Sequence, residues 1–198
     1  MKIDARLQRL IKLADDSALL RKLTVERLGP EIIDLAAIIS GVIGSGGKLI
    51  LAGNGGSAAD ASHFACEMIV RLSSERNRQS LPAMALNSDT VILTAAANDY
   101  GFENIFARQI EGLGQKGDML FVISTSGNSP NLIKAVQTAR TRKILTTGLL
   151  GNDGGKLAKM VDRALIVPHP SRQRVQEEHI FIIHILVELI EGDLLNGR

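Results

Sequence analysis

Residues 119–123, MLFVI, run without a break into the loop Ser124-Thr125-Ser126-Gly127-Asn128-Ser129, and Pro130 follows at once. An uninterrupted apolar run of this length reads as a strand buried on both faces. Proline directly after such a loop suits a first helical position, with Ser129 as its cap. Residues 48–52, KLILA, repeat the arrangement: a strand, the loop Gly53-Asn54-Gly55-Gly56-Ser57, then a helix over 58–71. Strands of this kind alternating with helices predict a parallel sheet with right-handed crossovers.

The rest of the chain extends the pattern. Helices are predicted over 90–97, 102–113, 130–141 and 174–194, with a short one at 156–161, and strands over 83–86, 144–150 and 165–167. Ahead of the first strand, Leu7, Leu10, Ile11, Leu13 and Ala14 fall at helical spacing, as do Ile32, Ile33, Leu35, Ala36, Ile39 and Ile43. Gly29-Pro30 reads as the break between two helices, and the glycines of 44–47 as the end of the second. The expectation is one α/β domain over 1–198: two N-terminal helices in 1–46, then a doubly wound five-stranded parallel sheet and a C-terminal helix in 47–198. Such sheets bind ligands beyond the C-terminal strand ends, where the strand order reverses.

Composition narrows the partners. A chain of 198 residues suits one domain. A net charge of +2, with aromatics at 3% and no Trp, gives neither the field nor the stacking surface of a nucleic-acid binder, so no nucleic-acid partner is expected. No membrane partner is expected either, because no apolar stretch approaches the ~20 residues of a membrane span. The first residues have no signal-peptide core. The lone Cys66 excludes an intrachain disulfide, fits a reducing compartment and reads as core filling. The expected location is cytoplasmic.

The two loops suit a phosphate. In the first, Gly53, Gly55 and Gly56 let backbone approach a ligand ahead of a helix N-terminus; alone it is equally well a tight turn with Ser57 as cap. In the second, four hydroxyls (Ser124, Thr125, Ser126, Ser129) and Gly127 precede a helix that needs only one hydroxyl to cap it. Together they indicate a small phosphorylated ligand. A nucleoside triphosphate is disfavoured by the absence of a Walker lysine.

His63 and Glu67, four apart, share one helix face. The last helix carries Gln176, His179 and His184, and Gln176 and His184 lie a little over two turns apart. These side chains suit an acid, a base and N/O ligands for zinc or a related ion. The structural alternative pairs Glu67 with Arg71 and leaves the final helix a polar face; spacing alone favours it, because HxxxE is common on helices. Spacing leaves both His179 and His184 open. It also leaves Asn98 and Asp99 open between capping the next helix and binding sugar hydroxyls.

Four segments, AGNGGSAADASHFACE (52–67), LTAAANDYGFENIFARQIEGLGQKGD (93–118), ISTSGNSPN (123–131) and RVQEEHIFIIHILVELIE (174–191), closely resemble the phosphoheptose isomerases of the sugar isomerase (SIS) family. The resemblance implies a flavodoxin-like sheet, a homotetramer with active sites between subunits, and conversion of sedoheptulose 7-phosphate to D-glycero-D-manno-heptose 7-phosphate, towards nucleotide-activated heptose for lipopolysaccharide. It implies one zinc per subunit on His63, Glu67, Gln176 and His184, and so selects His184 over His179. It further implies Glu67 as base and His184 as acid in an enediol mechanism. Ser124, Thr125, Ser126 and Ser129 match the phosphate loop. Asn54, Ser57 and Asp99 match substrate contacts, with Gly55, Gly56, Asn98 and Gln176 beside them. Residues 69–72 and 73–79 depart from the usual isomerase text and, with 81–89, lean towards a relative that associates with the replication initiator DnaA, a branch that generally lacks the catalytic glutamate. Gln173 stands where some isomerases carry an acid. An isomerase of another sugar phosphate is the further alternative.

Overall fold

The computed structural model describes residues 4–195. Five strands, β1 (Leu49–Gly53), β2 (Ala83–Ala85), β3 (Met119–Ser124), β4 (Leu145–Gly151) and β5 (Arg163–Val167), form one sheet in the order β2-β1-β3-β4-β5, with every pairing parallel. That is the flavodoxin-like order. Six α-helices surround it: α1 (Ala5–Gly44), α2 (Gly56–Ile69), α3 (Thr90–Tyr100), α4 (Ile105–Leu113), α5 (Pro130–Thr141) and α6 (Arg172–Leu195).

The apolar runs read from the sequence are divided residue by residue between two cores. Leu49, Leu51, Met119, Phe121, Ile123 and Leu149 point into a core closed by α1, α2 and α6. Their neighbours Ile50, Ala52, Leu120, Val122 and Leu150 point into one closed by α3, α4 and α5. Alternate side chains of a strand face opposite ways, so a strand covered on both sides must be apolar at every position.

The N-terminal reading needs correcting. The two expected helices are one, 40 residues long and about 60 Å at the helical rise, with Pro30 inside it. Proline disfavours helix at the preceding residue by clashing with its Cβ, and here that residue is Gly29, which has none. Packing then outweighs the lost hydrogen bond. Leu20, Ile32, Leu35, Ala36 and Ile39 are buried in the core that α6 shares. Arg21 of α1 lies 3.3 Å from Glu178 of α6, and Ser17 donates to Glu177 at 3.0 Å. Glu178 is fully buried, and burial raises its pKa against the pull of Arg21.

Smaller differences have local causes. Residues 102–113 open as a 3₁₀ turn, Phe102–Asn104, before α4 begins. Cys66 is exposed and fills no core, because Phe64, Ala65 and Met68 take the inward face of α2. Among the described residues no helix is long and apolar enough to cross a membrane.

Candidate active site

Strand order decides which loops meet. Since β1 and β3 are adjacent and their connections leave in opposite directions, the loops after them flank the switch-point crevice. There, Asn54, Ser57, Ile123, Ser124, Thr125, Ser126, Ser129 and Arg172 line a pocket of about 200 Å³. Three helix N-termini reach it: Ser57 is in the first turn of α2, Ser129 stands at the cap position of α5, and Arg172 begins α6. Each presents the positive end of a dipole and free N–H groups, a setting for an anion.

The pocket is held by a few specific bonds. Asn54 and Asn131 exchange amide hydrogen bonds of 2.9 and 2.8 Å, tying the first loop to α5. The Ser124 hydroxyl accepts from the Gly127 N–H at 3.0 Å. A Cβ at Gly127, where φ is +61°, would strike the Gly154 carbonyl. Gly55, at φ +55°, holds the cap position of α2 that the tight-turn reading gave to Ser57. Ser129 occupies the cap of α5 but makes no capping bond. Among the described residues the hydroxyls of Ser57, Thr125 and Ser129 have no partner and are free for a ligand.

The second constellation assembles where α2 crosses α6. His63 Nε2 lies 2.9 Å from His184 Nε2 and 3.4 Å from a Glu67 oxygen. The other Glu67 oxygen is buried without a partner. Glu67 therefore turns to His63, and the pairing with Arg71 does not form. Gln176 reaches between the two centres: its amide fills the space beside Gly56, where any Cβ would collide with it. The geometry separates the two histidines that spacing leaves open. His184 is exposed at the crossing, whereas His179 is fully buried, and burial drives its pKa down to about 4 against an upward pull from the Leu150 backbone.

These four donors suit a metal in chemistry, and the two histidines stand close to the spacing that one needs. Two ligands of a tetrahedral zinc at its usual bond lengths sit about 3.3 Å apart, so the histidines need part by only a few tenths of an ångström. Among the described residues no three His, Cys, Asp or Glu side chains form a ready-made cage. The unpartnered Glu67 oxygen is the atom an ion would satisfy.

Two neighbours escaped the sequence reading. Asp60, one turn before His63 and buried, has its pKa raised to about 6 by burial, with Gln176 and the His63 charge pulling it back. The D-x-x-H spacing was its only signal. Arg172 adds a cation to a pocket that the hydroxyl reading left neutral. Its signal was its place at the start of a helix. Asn98 and Asp99 stand apart, exposed at the end of α3, where Asn98 donates to Asp99 at 2.8 Å. Asp99 caps no helix; Asp89 caps α3. Gln173 accepts from the Ser171 hydroxyl at 3.0 Å.

Residues 14–151 match the SIS domain family, which sets the class of the protein. Its relatives narrow the class. A phosphoheptose isomerase from Trichlorobacter lovleyi is 50% identical over 183 residues, 92% of each chain. One from Chlorobaculum parvum is 49% identical over 177 residues, 89% of this chain and 85% of that one. Solved phosphoheptose isomerases from Francisella tularensis and Neisseria gonorrhoeae match with TM-scores of 0.91 and 0.88 at 34% and 39% identity, each match covering 96% of this chain and 100% of the other. The chain belongs to the phosphoheptose isomerases of the SIS domain family.

Proposed function

We infer that the protein is an aldose–ketose isomerase converting sedoheptulose 7-phosphate to D-glycero-D-manno-heptose 7-phosphate. The observation that carries this is the joining of two centres by one helix: α2 has Ser57 in the phosphate pocket and His63 and Glu67 at the crossing with α6. Ser57 and His63 are six positions apart, about 9 Å of helix rise. A sugar phosphorylated at its far end and reacting at C1 and C2 needs such a separation. Phosphate binding remote from the reacting carbons supplies orientation.

In the reaction Glu67 takes a proton from C1 of the ketose and returns it to C2, passing through the enediol. Glu67 has one oxygen 3.4 Å from His63 and the other buried without a partner, so no fixed hydrogen bond within the protein holds its carboxylate. His184, exposed opposite, moves protons on the neighbouring oxygens. His63, Glu67, Gln176 and His184 would hold zinc, one ion per subunit, which when bound would polarise the carbonyl and stabilise negative charge on the oxygens.

The assembly belongs to the same reading. Leu7, Leu10 and Ile11 of α1 are at least 48% exposed and share one face, an apolar patch suited to burial in a homotetramer. Asn98 and Asp99, away from the pocket of their own subunit, suit a site shared between subunits. A cytoplasmic location and a product destined for activated heptose and lipopolysaccharide fit the substrate. The relatives bear the isomerase name and lend no support to a DnaA-binding role.

Turnover of sedoheptulose 7-phosphate, with and without a chelator and restored zinc, tests the reading. Turnover that the chelator stops and zinc restores is the expected result. Turnover indifferent to the chelator removes the metal, and none under any metal condition removes the reaction.

A further inference from the structure

We propose that Arg78, buried against Glu191, is a positioning residue that sets Glu67 and His63 against His184; this rests on the isomerase reading above. Arg78 lies in the segment between α2 and β2, within the residues that depart from the usual family text. Its side chain is 2% exposed and that of Glu191 1%. The guanidinium donates from Nη2 to the Glu67 carbonyl at 2.7 Å and from Nη1 to the Met68 carbonyl at 2.8 Å. It also donates from Nη1 to Gln79 at 3.0 Å and from Nε to the Glu191 carboxylate at 2.7 Å.

The contacts fall where the chemistry depends on them. The last carbonyls of a helix have no partners within it and carry the negative end of its dipole. Arg78 satisfies two of them, one belonging to Glu67 itself. Its planar fork is suited to holding three carbonyls and a carboxylate at once, as a lysine is not. Glu191 stands on α6, two turns beyond His184, and also accepts from the Leu72 N–H at 3.3 Å. One buried pair thus binds the end of the helix bearing His63 and Glu67 to the helix bearing Gln176 and His184. At the site those helices meet through the His63–His184 approach and through Gln176 beside Gly56, so a shift of α2 along α6 would misplace the base directly.

Four variants separate positioning from mere stability. Arg78→Met leaves the buried Glu191 with only the Leu72 N–H and an Arg76 guanidinium 4.0 Å away, and is expected to lower the melting temperature. Arg78→Met with Glu191→Leu removes both charges, and apolar replacement of a buried pair commonly restores stability. Arg78→Lys keeps the charge without the fork, and Glu191→Gln keeps the shape without the charge. The expected result is that the double variant recovers its melting temperature yet keeps a kcat at least about 10-fold low. KM stays within about twofold, and zinc affinity, followed by zinc-dependent shifts in melting, falls about 10-fold, as loss of outer-shell support does elsewhere. Arg78→Lys should fall between. Full kcat and zinc affinity in a double variant of restored stability would overturn the proposal. So would single variants whose activity per folded molecule matches the parent. The unaltered protein assayed alongside keeps the two inferences apart: no turnover in any protein, parent included, counts against the isomerase reading, whereas loss confined to the variants supports the clamp.

Discussion

The hydroxyl-lined pocket and the His63–His184 crossing are built in opposite ways. The pocket is made of short contiguous segments: two strand-to-helix loops and the first residue of a third helix. Its hydroxyls and N–H groups are placed by local geometry, and the sheet order only brings the loops side by side. At the crossing, His63 and His184 meet across 121 residues of sequence, and no local rule places them together. The pocket should therefore respond to mutation piecemeal, one hydrogen bond at a time. The crossing should respond as a unit.

The largest test of that contrast is Glu67→Gln. With Glu67 as the proposed base, it should lower kcat by about 10²–10⁴-fold while KM changes little, since the pocket is untouched. Steady-state kinetics check this, and a KM effect as large as the kcat effect would merge the two regions.

His179→Leu asks whether helix α6 keeps its buried face separate from its working face. His179 ionises near 4 when folded and near 6.5 when unfolded, so the unfolded chain binds the extra proton between those values. Stability from this group is complete above pH 6.5 and is lost as pH falls towards 4, by about 3 kcal/mol. Leucine should flatten that slope in denaturant unfolding while turnover at neutral pH stays within about twofold. An unchanged slope would show the proton to be taken up elsewhere.

Thr125→Val and Ser129→Ala each remove one uncommitted hydroxyl. Each should raise KM about 10–100-fold with kcat nearly constant, the size of one hydrogen bond to a charged group. Their double variant should be close to additive if the pocket is piecemeal. Arg172→Ala is the smallest change, about threefold in KM and fading with added salt, because the side chain is exposed and screened. A salt-independent effect would mean that Arg172 shapes the loop instead of attracting the anion.

The sheet, both loops and most helix positions were legible in the sequence because their signals are local. Apolar runs buried on two faces show at every residue, and α5 spans Pro130–Thr141, the range its proline and loop predict. What the sequence misjudged followed from contacts it could not display. Gly29-Pro30 has the local chemistry of a break, but the face of α1 packed on α6 carries the helix through it. Cys66 has the composition of a core residue and lies on the outward face of α2. His179 and His184 share a helix, and which of them meets His63 depends on how α2 crosses α6. The sequence by itself determined the alternation of strands and helices and the chemistry of the two loops. These rest on periodicity, turn residues and helix starts within a few residues of one another. The tertiary structure alone decided the switch-point meeting of the loops, the pairing of His63 with His184 and the Arg78–Glu191 clamp behind them. Each of these depends on the packing of segments far apart in the chain.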